Sequence, residues 1–338
     1  MQAIFHVAPH RVEVRAIDAI RPVSGELLVK AHCSALNSGA ESLIFRGGMP
    51  EAWGQDASGE SPGDGIRYPF AYGAAMVGEV VDVGDRDDRD WLGKRVFVAH
   101  PHQPSAVVAC DDCVPLPDAM PTERALFLAS MDMALNLVMD AAPRVGDRGM
   151  VFGQGVIGLL TASILGRFPL DELIAVDPVA DRRERSLQEG AALAIDPARG
   201  RELAVLEECL FHGGNEGLDF VIEVSGHIDA LNQAIRLCGF DSRIVVGSWY
   251  GRQTGQIDLG GNFHRKRIRL ISSQSGSLSP ELSGRWDRNR RLRLALDWLD
   301  RLAPERFITH RFALPDCQEA FELAVDKHSG AFQVVFDY

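Results

Sequence analysis

The feature that most constrains this chain is a glycine loop set between two apolar segments. Met150-Val151-Phe152 runs into Gly153-Gln154-Gly155-Val156-Ile157-Gly158, and an apolar stretch continues to Leu165. Three glycines at this spacing are common by chance, so the flanking strand and helix give them their meaning. In that setting Gly153 permits a tight turn and Gly155 lets the backbone approach a diphosphate. Gly158 lets the helix pack closely on the strand. The free N–H groups at the start of the helix, around Val156 and Ile157, would hold the anion. Nineteen residues past Gly158, Asp177 closes the next apolar stretch. A carboxylate there accepts hydrogen bonds from ribose hydroxyls and repels a 2′-phosphate, which favours NAD over NADP. Arg182 could close over the adenine ribose, and with Arg183 it could instead tolerate a phosphate, so NADP stays possible. The alternative is a domain of this type that has lost its cofactor.

The surrounding pattern supports a doubly wound sheet. Strands are expected at 150–152, 173–176, 192–195, 220–223, 243–246 and 268–271, with helices such as Ala230 to Leu237 between them. Continuous apolar strands separated by helices indicate a parallel sheet covered on both faces. The first third differs. Glu26 to Ala31, Met76 to Val83 and Arg95 to Ala99 read as strands, bounded by turn clusters such as Asp56 to Asp64 and Gly84 to Asp90. A helical segment opens at Pro121-Thr122 with Thr122 as its cap, and Ala125 to Asp140 is apolar at helical spacing. The fold class expected is α/β, a strand-rich domain plus a doubly wound (Rossmann) domain. Helices at Arg291 to Leu302 and Pro315 to Val325 and a final strand, Phe332 to Phe336, end the chain.

Composition narrows the function. With 338 residues, room exists for two cores. The net charge of −12 argues against nucleic-acid binding, and the basic run Arg285 to Arg293 reads as a solvated helix face. Mean hydropathy is −0.04, and no apolar run approaches the ~20 residues that span a bilayer. Met1 to His6 shows no secretory pattern, and six scattered cysteines fit reduced thiols, so a cytoplasmic location is expected. Cys110-Asp111-Asp112-Cys113 reads as a turn between strands.

The order of parts resembles the medium-chain dehydrogenase/reductase superfamily over nearly the whole chain. The landmarks are Val29-Lys30-Ala31 with Gly47, Gly78 to Gly84, the glycine loop, Gly217 to Gly226, and Ile308-Thr309-His310-Arg311-Phe312. Ser38 to Leu43 with Pro101-His102-Gln103 is loosely similar to a bacterial branch grouped with the hydroxyethyl bacteriochlorophyllide dehydrogenases. The resemblance implies a GroES-like catalytic domain over 1–126, completed by 276–338, and a Rossmann domain over 127–275. It also implies an active site in the cleft between them, a homodimer, and cofactor contacts at Ser225, Gly247, Ser248 and Ser273.

Zinc members of that family use a Cys, the His of a Gly-His-Glu triplet, and a further Cys or acid. The matching positions here are Asn37, Gly73-Ala74-Ala75 and Ala129-Ser130-Met131, which offer no such donors. A catalytic zinc needs three protein ligands, and a structural one needs four, so no metal is expected. A rearranged site from Glu41, His100 and Asp132 is the alternative. Without a Lewis acid, a side chain must exchange the hydroxyl proton. The candidates are His100, then Glu41, with Tyr72 and Asp132; His102 and His264 rank below them. Each has a bland reading too, such as a helix cap or a satisfied core residue.

The chemistry expected is hydride exchange between nicotinamide and a small polar alcohol or carbonyl compound. The alternatives are reduction of an activated C=C bond, as in quinone and enoyl reductases, and a redox-sensing protein that holds the dinucleotide without turnover. No nucleic-acid or membrane partner is expected.

Overall fold

The structure is a computed structural model that describes residues 1–18, 21–49, 67–212 and 216–338. The turn cluster Asp56 to Asp64 lies outside the described residues. The chain divides into two compact units, Met1–Ala129 with Arg293–Tyr338, and Ser130–Leu292.

Six strands form one sheet among the described residues of the second unit. Their spatial order is Leu193–Ile195, Glu172–Val176, Arg148–Phe152, Leu218–Glu223, Cys238–Val246 and Arg269–Ser272. Every neighbouring pair is parallel. Numbered along the chain the order is 3-2-1-4-5-6, that of a doubly wound dinucleotide-binding sheet. Ligands bind such sheets at the carboxyl ends of the strands, where the order reverses. Here that point lies between Arg148–Phe152 and Leu218–Glu223. Helices Val156–Leu165, Ala180–Gln188, Gly200–Phe211 and Ile228–Leu237 supply the crossovers. Met150, Ile174, Val221 and Ile244 pack with Leu206 and Leu231 in one buried cluster. Each such side chain contributes roughly 1.5–3 kcal/mol by leaving water.

The first unit is strand-rich. Its larger sheet runs Ile308–Ala313, Gln333–Asp337, Glu26–Ala35, Met76–Val83, Arg95–Val98 and Val114–Pro115, with Ser105–Ala109 also paired to Glu26–Ala35. The return segment is built into this sheet. Gln333–Asp337 pairs antiparallel with Glu26–Ala35 and parallel with Ile308–Ala313. Arg124 fastens the same segment from the side through Nε and Nη2, at 3.0 and 2.7 Å from the Glu305 carboxylate.

Two local expectations change. The helical stretch is broken into Thr122–Ala125 and Leu128–Ala141. Thr122 lies inside the first turn rather than capping it, and its hydroxyl accepts from Arg95 Nη1 at 3.3 Å. The run Arg285 to Arg293 is largely exposed, but Arg291 is 1% exposed. No helix among the described residues is long and apolar enough to cross a membrane. Cys110 to Asp112 form a short turn between two strands, and the six cysteines form no disulfide.

Candidate active site

The three loop glycines meet three different surroundings. Gly153 has φ +88°, and a Cβ on it would lie 2.7 Å from Ser225 Cα. A Cβ on Gly158 would lie 1.8 Å from the Gly153 carbonyl oxygen. One on Gly155 would meet nothing within 4 Å among the described residues. Two glycines therefore serve packing, and the third leaves the backbone open where helix Val156–Leu165 begins. No side chain caps that helix, so its first N–H groups remain for a bound anion.

Asp177 is 3% exposed. Its Oδ2 accepts the Gln154 N–H at 2.7 Å, and its Oδ1 accepts the Val179 N–H at 2.8 Å. Arg182 Nη1 lies 3.9 Å from Oδ2, while Arg183 donates to the Asp177 carbonyl at 2.7 Å. The carboxylate thus fixes the loop and still has lone pairs for a ribose hydroxyl.

The later strand ends gather around Glu223, which is fully buried. Ser225 donates to its Oε1 through N–H at 2.7 Å and through Oγ, and Tyr250 donates to Oε2. Desolvation and the Glu223 carboxylate push the Tyr250 phenol above its ordinary range. Ser248 Oγ accepts the Gly226 N–H at 2.8 Å, and the Gly247 N–H donates to the Glu223 carbonyl at 2.9 Å. Ser273 Oγ accepts from Asn136 at 2.8 Å. Glu223 lies in the Gly217 to Gly226 landmark, but its pairing with Tyr250 is tertiary and leaves no mark along the sequence.

The proton-exchange candidates fall into different surroundings. Glu41 and His102 form a fully buried pair, Oε2 to Nε2 at 2.8 Å, and Glu41 Oε1 accepts the Asn37 N–H at 2.9 Å. Asn37 Oδ1 accepts the N–H groups of Gly39 and Ala40 at 3.0 and 3.2 Å, which starts helix Ala40–Phe45. His100 is part-buried, with Nδ1 3.2 Å from the Pro101 carbonyl. Desolvation holds its imidazole below the ordinary range, and His102 adds to this. A Cβ on Gly73 would lie 2.6 Å from the His100 carbonyl oxygen, so the two segments touch. Tyr72 packs against Ile44 and Met49. Asp132, in the other unit, is held by Arg291, with Nε to Oδ1 at 2.6 Å and Nη2 to Oδ2 at 2.9 Å. Both carboxylates of the rearranged metal site are therefore engaged by protein cations or donors. His264 is exposed.

Comparison with known proteins agrees with this architecture. Residues 156–291 match the family model described as zinc-binding dehydrogenase. The D-guloside 3-dehydrogenase of Escherichia coli (strain K12) is 26% identical over 285 residues, covering 79% of each chain. The chain is thus similar to zinc-binding dehydrogenases, the group to which the medium-chain dehydrogenase/reductase resemblance points.

Solved alcohol dehydrogenases share this fold along the chain. The rspB alcohol dehydrogenase of E. coli CFT073, solved with NADH, superposes with a TM-score of 0.80 at 20% identity, covering 100% of this chain and 99% of that one. The 2R,3R-butanediol dehydrogenase of Bacillus subtilis gives 0.79 at 18% identity, with 100% and 99% covered. The strand-rich unit is thus the GroES-like domain and the other the Rossmann domain. The curated relatives it matches are named dehydrogenases and reductases, and the rspB structure holds NADH.

Proposed function

We propose that this chain is a zinc-independent medium-chain dehydrogenase/reductase that prefers NAD and acts on a small polar alcohol or its carbonyl partner. The observation that carries the cofactor preference is the Asp177 carboxylate, buried at the end of the second strand and closed onto the Gln154 amide. A 2′-phosphate brought there would meet a negative charge. The substrate class is supported by relatives named for a guloside and for a diol.

Zinc independence is supported by the donor chemistry. Asn37, Ala74 and Ala75 supply no thiolate, imidazole or carboxylate, and Glu41 is paired with His102. When bound, the nicotinamide accepts or returns the hydride. The chain must then move the hydroxyl proton and stabilise the developing oxyanion. His100, held neutral, has the lone pair to accept that proton, and Glu41 is the second candidate. Arg182 supports the adenosine end, with Ser225, Gly247, Ser248 and Ser273 as further cofactor contacts. The proposal includes a homodimer, for which the edge strand Arg269–Ser272 with Leu270 38% exposed offers a surface. Six free thiols fit a reducing, cytoplasmic compartment.

Fluorescence titration should give tighter binding of NADH than of NADPH, and the reverse order overturns the reading of Asp177. A panel of diols, polyols, carbonyls and enones then separates the reactions. Turnover confined to enones would favour C=C reduction. Tight NADH binding with no hydride transfer to any of them would favour a sensor.

A further inference from the structure

The Rossmann unit holds a cavity that shares no residue with the glycine loop. It has a volume of about 810 Å³ and lies between helix Gly200–Phe211 and the edge strand Leu193–Ile195. Cavities of this size take small organic molecules. Its apolar wall is formed by Leu193, Ile195, Val205, Leu206 and Leu210. Leu193 is 39% and Val205 52% exposed, so part of that wall faces water. Apolar surface gathered at the mouth of a cavity, rather than scattered singly, marks a place of binding.

The charged residues around the cavity define what it takes. The helix returns the chain between two parallel strands, so Arg199 and Arg201 stand at the carboxyl end of the sheet and Leu210 at the amino end. Arg201 and Leu210 are roughly 13 Å apart along the helix axis. At the amino end Arg148 and Glu172 are register partners on neighbouring strands, and their charges cancel. At the carboxyl end the charges alternate in a row. Asp196 Oδ2 lies 3.6 Å from both Arg183 Nη1 and Arg199 Nε, and Arg199 Nη1 donates to Glu202 Oε1 at 3.1 Å. Arg183, Asp196, Arg199 and Glu202 therefore balance. Arg201 has no ion pair or hydrogen bond among the described residues, which leaves it as the uncompensated cation of the cavity.

We propose that this cavity binds an amphipathic carboxylate, with its alkyl chain along the apolar wall and its head group on Arg201. The bound molecule weakens the cofactor from the adenosine side. That second half rests on the reading that Asp177 holds the adenosine ribose.

The link is the same row of charges. Arg183 Nη1, at its far end, donates to the Asp177 carbonyl at 2.7 Å. A carboxylate on Arg201 draws Arg199, two residues away, off Asp196. Asp196 is then left to Arg183 alone, and Arg183 turns toward it from the Asp177 carbonyl. Arg183 and Asp196 are part-buried, so their attraction is screened less than that of a pair on the open surface. The ribose then meets a less firmly held Asp177. Such coupling is reciprocal, so NADH weakens the carboxylate by the same factor.

Dodecanoate, kept below the concentration at which it forms micelles, is the probe. Calorimetry of the full chain without cofactor reads its binding, so this result is independent of the Asp177 reading. One molecule should bind per chain. Arg201→Gln should weaken it about tenfold, the loss of one charge-assisted hydrogen bond. Val205→Trp, which fills the open mouth with a large ring, should abolish it. Both side chains are exposed, and unchanged melting temperatures should show that neither variant disturbs the core. Saturating dodecanoate should weaken NADH about fivefold, and Arg199→Gln, which cuts the row, should bind dodecanoate yet lose that response. No binding to the wild-type chain would overturn the site. Equal affinity in both variants would do the same, because the molecule would then sit elsewhere. A fall in oligomeric mass in Val205→Trp, read by sedimentation, would assign the wall to a second copy and overturn it too. An unmoved NADH affinity at saturation would overturn the coupling, while the comparison of NADH with NADPH tests Asp177 separately.

Discussion

Asp177 is tied to Gln154 inside the glycine loop, its Oδ2 accepting the Gln154 backbone N–H at 2.7 Å. One carboxylate therefore shapes the loop and sets the charge beside it. Asp177→Asn keeps the shape and removes the charge. NADH affinity should fall about tenfold, in line with a charge-assisted hydrogen bond of roughly 1.5–3 kcal/mol. The preference over NADPH should narrow, because the repulsion of the 2′-phosphate goes with the charge. Titrating the variant with both reduced cofactors measures this.

The glycines of the loop should separate stability from binding. Gly158→Ala places a methyl where the Gly153 carbonyl stands, 1.8 Å away, and should unfold or strongly destabilise the Rossmann unit. Gly155→Ala meets open space and should leave the melting temperature within a few degrees of wild type. Its NADH affinity should nevertheless drop, since the methyl stands where the diphosphate must approach. Thermal melts and NADH titration of the two variants check the contrast.

Arg291 and Asp132 are a buried bidentate pair, and Arg291 also donates to Asn136 and to the Ser275 carbonyl. Asn136 passes the connection on to Ser273. Arg291→Met leaves the Asp132 charge without its partner and should cost about 3–5 kcal/mol. Adding Asp132→Leu should restore much of that loss, because an apolar pair can replace a buried ion pair. Urea denaturation of the single and double variants gives the coupling.

His6 has no hydrogen-bond partner at either ring nitrogen among the described residues, and stacks against Phe70 at 5.6 Å. Its folded value near 3 lies below the unfolded one, so between the two the unfolded chain binds more protons. Stability should fall as pH drops below about 6.5 and go on falling toward the folded value. His6→Phe removes this term and the unsatisfied nitrogens. It should be more stable at pH 7 by about 1 kcal/mol. That advantage should grow by about 2 kcal/mol on going to pH 4.5. Denaturation midpoints across this range decide it.

Sequence legibility follows how local the signal is. The centres of two such strands, Met150 to Phe152 and Phe220 to Ile222, are buried on both faces, so they read as apolar runs with glycine loops soon after them. The basic run around Arg291 reads as a solvated face because nothing local shows that one arginine of the series turns inward to an aspartate 159 residues away. Likewise Pro101-His102 offers no hint that His102, rather than His100, bonds Glu41. Ser34 and Tyr338 meet only after the return segment joins the first sheet, 304 residues apart. Patterns along the chain find elements and glycine loops; polar networks across the core depend on tertiary pairing.

The central claim, hydride exchange with NAD and no metal, is tested most directly by turnover of the full chain before and after exhaustive chelation. The assay follows NAD reduction with a panel of diols and polyols, and NADH oxidation with the matching carbonyls. The account predicts equal rates before and after chelation, with no gain on adding zinc. A rate lost on chelation and regained with about one zinc per chain would contradict it.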